Sequence, residues 1–179
     1  MASESMAENA MKSAYIETMT LVERLHRRFL DIVRIELERL GEDDINNVQS
    51  LILFHMGEED VSVGELTARG YYLGTNVSYN LKKLVESGYV GQRSSERDRR
   101  SVRVFLTSKG EDLRARLDGA FVAHAGLLEA RGLEVEALDE AAATILRLGR
   151  IFNEVVARPA PEAPARLREQ PFTARAAAF

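Results

Sequence analysis

The stretch GTNVSYNLKKLVESGYVGQRSSERDRRSVRVFLT, residues 74–107, decides how the rest of the chain is read. Its first half has the period of a helix. Val77, Leu81, Leu84 and Val85 fall at i, i+4, i+7 and i+8 and make one apolar stripe. At 100° per residue the opposite face carries Thr75, Asn76, Tyr79, Lys82, Lys83 and Glu86, with Ser78 and Asn80 on the flanks. An ordinary surface helix would favour long Glu/Lys pairs there; this face is short, polar and hydrogen-bonding. Gly88 is placed as the residue just past the helix end. The second half alternates: Val90, then Val102, Val104 and Leu106, read as two strands joined by the loop SSERDRR at 94–100.

A helix, a tight turn and a hairpin with a basic tip are the parts of a winged helix-turn-helix. Charge supports the reading. Between Thr75 and Arg103 seven basic residues face three acidic ones, a net of +4, while the whole chain carries −4. A globally acidic protein with one basic segment has a localised electrostatic footprint, as nucleic-acid binding requires. The competing reading is a solvated hairpin whose arginines pair with nearby carboxylates.

The rest of the composition bounds the answer. A chain of 179 residues, 45% apolar and 29% charged, can form one domain with a real core, or a compact domain with extensions. No run approaches the roughly 18 apolar residues of a membrane span. MASESMAENAMKS has no apolar centre and is not a secretory signal. Both observations point to the cytoplasm. The chain has no cysteine, which excludes disulfides, thiol redox sensing and thiolate metal sites. His26, His55 and His124 are far apart and lack HxxxH or HxH spacing, so neither a metal nor a cofactor is expected.

Residues 1–11 are polar, small and unpatterned, and are expected to form a flexible N-terminus. Residues 12–40 read as one long helix with Tyr15, Met19, Val22, Phe29, Ile32, Val33 and Leu40 on its apolar face. At 1.5 Å per residue it would span roughly 40 Å. That is more than a domain of this size needs, which suggests burial against another subunit. Asp44 can cap a helix from Ile45 to about Met56, whose inner face is Ile45, Val48, Leu51, Ile52 and His55. Glu58, Glu59 and Asp60 read as a solvated turn. Ser62 and Glu65 make a capping box opening a short helix at 63–69, and Ser108 and Glu111 make a second, opening a helix to about Arg131. Ala115, Gly119 and Ala123 on that helix would let another backbone approach. A last amphipathic helix covers about 134–157, with Leu138, Ile145, Leu148, Ile151, Phe152 and Val155 apolar. All four prolines follow it, so 158–179 reads as a flexible tail.

Val61 to Gly110, VSVGELTARGYYLGTNVSYNLKKLVESGYVGQRSSERDRRSVRVFLTSKG, resembles the MarR family of transcriptional regulators. The run DRRSVRVFLTSKG resembles the family's wing signature, with Asp98 and Arg100 as a D-x-R pair followed by Leu106, Thr107 and Gly110. The resemblance covers about residues 12–157. YYLGTNVSYNLKKLVESGYV further resembles an alphaproteobacterial branch linked to L,D-transpeptidase and cell-envelope control.

The resemblance implies a mainly α protein with a small β-hairpin wing, forming a homodimer. Residues 12–40 and 108–157 would be its dimerisation helices, and 44–107 its DNA-binding lobe. It implies a sequence-specific regulator, not an enzyme, that binds a pseudo-palindromic site in double-stranded DNA. Thr75, Asn76, Ser78, Tyr79, Lys82 and Lys83 on the recognition helix would meet DNA, with Arg97, Arg99 and Arg100 on the wing. Asn76 can pair with adenine or serve as a turn contact; Thr75 and Ser78 can meet base edges or phosphate. Asp98 would brace the wing by holding Arg100 while Arg99 enters a minor groove, or the two arginines exchange roles. The family often binds small aromatic effectors, and Tyr15, His26, Arg27 and Phe29 could border such a crevice or be plain core and interface residues. The reading to weigh against all this is a winged-helix protein-interaction module without DNA binding, which would have no need of three wing arginines.

Overall fold

The computed structural model of the chain describes residues 2–57, 60–68, 74–94 and 102–157; the side chains of 2–5, 67–68 and 74–75 are outside this set. In chain order it has α1 (Ala2–Leu40), α2 (Asn47–Met56), β1 (Val61–Ser62), α3 (Val63–Ala68), α4 (Gly74–Glu86), β2 (Val90–Ser94), β3 (Val102–Leu106), α5 (Ser108–Glu129) and α6 (Val135–Ala157). Two compact units divide it, Met1–Gly126 and Leu127–Phe179.

The core of the first unit collects apolar faces from every element. α4 contributes Val77, Leu81 and Leu84, the stripe expected from its period, with Val85 partly buried beside them. α1 contributes Val33 and Leu37, and α5 contributes Leu113 and Leu117. α2 buries more than its expected inner face. Leu53 and Met56 are sealed along with Leu51 and Ile52, and even Ser50 is inaccessible. A short helix apolar nearly all round is one surrounded by neighbours. Phe121 on α5 packs edge-on against Phe54 of α2 at 5.0 Å and lies 5.8 Å from Phe29 of α1. Beside them Glu36, buried on α1, accepts from Arg39 at 2.8 Å and lies 3.2 Å from His124.

The sheet has three strands in the order β1-β3-β2, all antiparallel. The two wing strands are those read from the sequence, with Val90 opposite Leu106 and Ser94 opposite Val102. The third strand, β1, leaves no mark in the sequence: two residues, Val61 opposite Val104, carry too little pattern to recognise.

Four helix starts and ends differ from the sequence reading. α1 begins at Ala2 rather than at residue 12. The segment ahead of Lys12 lacks an apolar period, but its Ala, Glu and Met favour helix and nothing in it breaks one. Met6 and Met11 ride on it exposed. Asp44 does not cap α2. Asn46 does, its side chain accepting from the Gln49 N–H at 2.9 Å while the Gln49 side chain accepts from the Asn46 N–H at 3.1 Å. The Ser62/Glu65 box on α3 is present. At α5 the expected Ser108/Glu111 box gives way to Thr107, whose Oγ1 accepts from the Gly110 N–H at 3.3 Å. α5 ends at Glu129, followed by a turn through Gly132 at φ 80°. Residues 158–179, read as a tail, lie outside the described set.

Three helices keep apolar surface in the open. On α1 these residues include Tyr15, Val22, Phe29 and Ile32, on α5 Val122, Leu127 and Leu128, and on α6 Leu138, Ile145, Ile151 and Val155; α6 has no buried residue. Among the described residues no helix is long and apolar enough to cross a membrane.

Candidate nucleic-acid interface

α4 is held by its apolar stripe against α2 and α3, so its other face points away from the core. Asn76, Ser78, Tyr79, Lys82 and Lys83 are all exposed there, Tyr79 by 62%. The side chain of Thr75 lies outside the described set. Asn80, on the flank of the helix by its period, is buried, and its Nδ2 donates to the Asn76 carbonyl at 2.8 Å. That bond occupies the Asn76 backbone oxygen, and Asn76 itself is exposed.

The charge on this face is partly compensated. Lys83 donates to Glu86 at 2.7 Å, and Lys82 lies 3.9 Å from the same carboxylate. The hydrogen bond raises the Lys83 pKa and lowers that of Glu86. Both partners are exposed, so this pair is weak and open to exchange with another anion.

At the base of the wing the compensation is firmer. Arg93 on β2 donates through Nε to the Asp60 carboxylate at 2.5 Å, forms an ion pair with it through Nη2, and lies 5.2 Å over the Phe105 ring. Gly91, opposite Phe105 in the register, leaves room for that ring, since a Cβ there would overlap it. Arg103 on β3 donates to the Asp60 carbonyl and lies 3.6 Å from Glu65. Two expectations change as a result. Asp60 is not part of a solvated turn but a tie between the start of β1 and both wing strands. Arg93 and Arg103, counted in the +4 segment, face two acids from outside it, which reduces the net to +2. The pairing spans 33 residues, beyond the reach of any local pattern. Arg97, Asp98, Arg99 and Arg100 lie outside the described residues.

The four α1 residues read as an effector crevice do not converge within one chain. Tyr15, His26, Arg27 and Phe29 share one helix, and 14 residues separate the first from the last. At 1.5 Å per residue that is about 21 Å. Arg27 pairs with Glu23 at 2.9 Å, His26 is exposed, and Phe29 leans on Phe121. A recess of about 560 Å³ lies at the α1–α2 junction, lined by Leu37 and Ile45 with Arg34, Glu38, Glu42 and Asp43, and another of about 560 Å³ is lined by Arg24, Arg27, Arg28 and Asp31 of α1. Among the described residues no group of three or more His, Asp or Glu could hold a metal.

The family profile described as a winged helix DNA-binding domain matches residues 45–110. The exopolysaccharide II synthesis transcriptional activator ExpG of Rhizobium meliloti (strain 1021) is 40% identical over 139 residues, covering 78% of this chain and 72% of that protein. The fold is also that of Streptococcus pneumoniae FabT in complex with DNA, with a TM-score of 0.61, 21% identity and coverage of 79% and 99%. A Staphylococcus aureus MarR solved with salicylate and kanamycin gives a TM-score of 0.63 at 19% identity, with coverage of 79% and 93%.

Proposed function

This chain belongs to the MarR family of winged-helix transcriptional regulators, and from that premise we propose that it binds an inverted-repeat operator as a homodimer, in the cytoplasm, to activate genes for cell-surface polysaccharide. That it is a DNA-binding transcriptional regulator follows from the family; the assembly, the operator and the targets are this reading. The observation that carries it is the division of α4 into a sealed apolar stripe and an outward face of Asn76, Ser78, Tyr79, Lys82 and Lys83. In helix-turn-helix complexes the first turns of such a helix meet base edges and later residues meet phosphates. Asn76 is therefore assigned to adenine and Lys82 and Lys83 to the backbone, with Thr75 and Ser78 beside them. Arg97, Arg99 and Arg100 would reach the flanking groove, with Asp98 bracing them.

Dimer formation is supported by the open apolar faces of α1, α5 and α6. Two copies would place their recognition helices about 34 Å apart, one turn of duplex. The likeness to ExpG supports activation and a cell-surface target. A small aromatic effector against Tyr15, His26, Arg27 and Phe29 is supported by the salicylate in the S. aureus relative; the second chain would have to close that pocket.

Genome-wide recovery of bound DNA, followed by motif extraction, tests the reading. The expected result is an inverted repeat upstream of polysaccharide genes whose transcripts fall in a deletion strain. Asn76→Ala should lose about 1–3 kcal/mol on that operator and little on random DNA, whereas Lys83→Ala should weaken both alike. Arg99→Ala should flatten the salt dependence of binding by about one per half-site. Failure to shift any upstream fragment at low salt would instead favour the protein-interaction module.

A further inference from the structure

Behind the recognition helix, on the side away from its outward face, lies a polar cluster that the DNA-contact scheme leaves unused. α4 ends in a turn in which the Gly88 N–H donates to the Val85 carbonyl at 3.1 Å and the Tyr89 N–H to the Leu84 carbonyl at 2.9 Å, with Gly88 at φ 77°. This turn drives the Tyr89 ring inward until the residue is 0% exposed. Its hydroxyl stands 2.6 Å from a Glu42 oxygen and 2.5 Å from an Asp44 oxygen, both in the loop between α1 and α2.

A phenol has one proton, so two carboxylates at one hydroxyl need cations to be tolerated. α5 supplies them. Lys109 donates to Asp44 at 2.7 Å and lies 3.8 Å over the Tyr89 ring. Arg116 donates to Glu42 at 2.6 Å and to the Leu40 carbonyl, the last of α1, at 2.5 Å. Lys109 also takes the Ser87 carbonyl at 3.1 Å, one of those left open at the end of α4. Burial, then the bonds to Asp44 and Glu42, push the phenol far above the usual tyrosine range, while Lys109 and Tyr89 lower the Asp44 carboxyl. The hydroxyl therefore stays a donor and the carboxylate an acceptor.

We propose that Tyr89, Lys109 and Arg116 are positioning residues of DNA recognition, clamping the end of α4 to the α1–α2 loop and to α5. An apolar stripe seats a helix but resists sliding and rotation weakly, because dispersion contacts are non-directional. Short charge-assisted bonds fix direction and register. α1 and α5 carry the dimer in the function proposed above, on which this consequence rests. The clamp then transmits the dimer geometry to each recognition helix and sets the half-site spacing the protein accepts.

Two measurements on the full chain test this. Because the chain has no cysteine, spin labels can be placed through Lys82→Cys on α4 and Asp118→Cys on α5, with labelled chain diluted in unlabelled. Tyr89→Phe should broaden or shift the distance distribution, and an unchanged distribution would overturn the clamp. On DNA, the unaltered protein should prefer its operator over copies with half-sites moved apart or together by one base pair by tenfold or more. Tyr89→Phe should reduce that preference to threefold or less, with the salt slope and random-DNA affinity unchanged. Ile52→Val serves as the stability control: matched in thermal loss, it should keep the preference. A Tyr89→Phe protein with the original preference would overturn the positioning role. No spacing preference in the unaltered protein would instead overturn the paired operator and its spacing consequence, while the spin-label widths still decide the clamp.

Discussion

Gly110→Ala should destabilise this protein although the usual expectation for a helical glycine is the opposite. Replacing glycine by alanine inside a helix is worth up to about 1 kcal/mol in favour of folding. Gly110 is buried in the first turn of α5, where a Cβ would fall under 3.0 Å from the Tyr89 carbonyl oxygen and 3.2 Å from its carbon. Both obstacles are backbone, so no side-chain rotation relieves them. The Tyr89 carbonyl accepts from the Thr107 N–H at 3.0 Å, and displacing it weakens that bond. Overpacking of this kind costs about 1–3 kcal/mol, and the bond lost adds about 1 kcal/mol. After the helical gain is subtracted, the net loss should be about 1–3 kcal/mol, which lowers Tm by about 2–12 °C in a chain this long. Gly119 on the same helix is the control, since a Cβ there meets nothing within 4 Å. In an isolated chain Gly119→Ala should stabilise by up to about 1 kcal/mol. If a second copy's backbone crosses at Ala115, Gly119 and Ala123, the same change should weaken the dimer in sedimentation. Thermal and urea denaturation of the two variants decide the matter. A Gly110→Ala protein as stable as its parent would refute the seating of α5 on the Tyr89 carbonyl.

Asn46→Ala should cost about 1 kcal/mol in urea denaturation by removing the cap of α2, and Asp44→Ala should not act through that cap. Leu53→Ala, at a fully buried site in the same helix, should cost about 2–5 kcal/mol. His55 has its pKa lowered from 6.5 by burial, so as pH falls below 6.5 the unfolded chain binds a proton that the folded chain does not. The resulting stability is present above that pH and lost as pH falls towards the folded pKa; His55→Leu should flatten this dependence in denaturation curves taken across the range.

What could be read from the sequence was what repeats within one element. The period of α4 shows in thirteen residues because Val77, Leu81 and Leu84 all enter one core. The wing strands show because Val102, Val104 and Leu106 alternate. What could not be read depends on partners distant in the chain. Asp44 looks like a cap, and its neighbourhood offers Asp43, Asn46 and Asn47 as rivals. Spacing to Gln49 favours Asn46, while Asp44 is drawn to Tyr89 and Lys109, 45 and 65 residues away. Thr107 displaces Ser108 for a related reason: its hydroxyl donates to the Gly88 carbonyl at 2.7 Å, tying the helix start to the end of α4. The N-terminal extension of α1 was missed because it has no buried face to leave a pattern, and propensity alone is a weak signal.

Among its described residues the basic segment therefore contains two kinds of cation, and only one of these two can answer to DNA. Lys82 and Lys83 share a single exposed carboxylate, Glu86, in pairs that contribute little in water. A phosphate can replace that carboxylate at small cost. Arg93 and Arg103, opposite each other on β2 and β3, are both held by Asp60, whose carboxylate and carbonyl are both used, and Arg93 is further stacked on Phe105. Releasing them would loosen β2, β3 and the start of β1 together. Each phosphate neutralised by the protein contributes about 0.9 to the slope of log K against log salt. Arg93 and Arg103 then add nothing to that slope while they remain paired, although they are part of the +4 of the segment. Their role is to tie β2 and β3 to the start of β1.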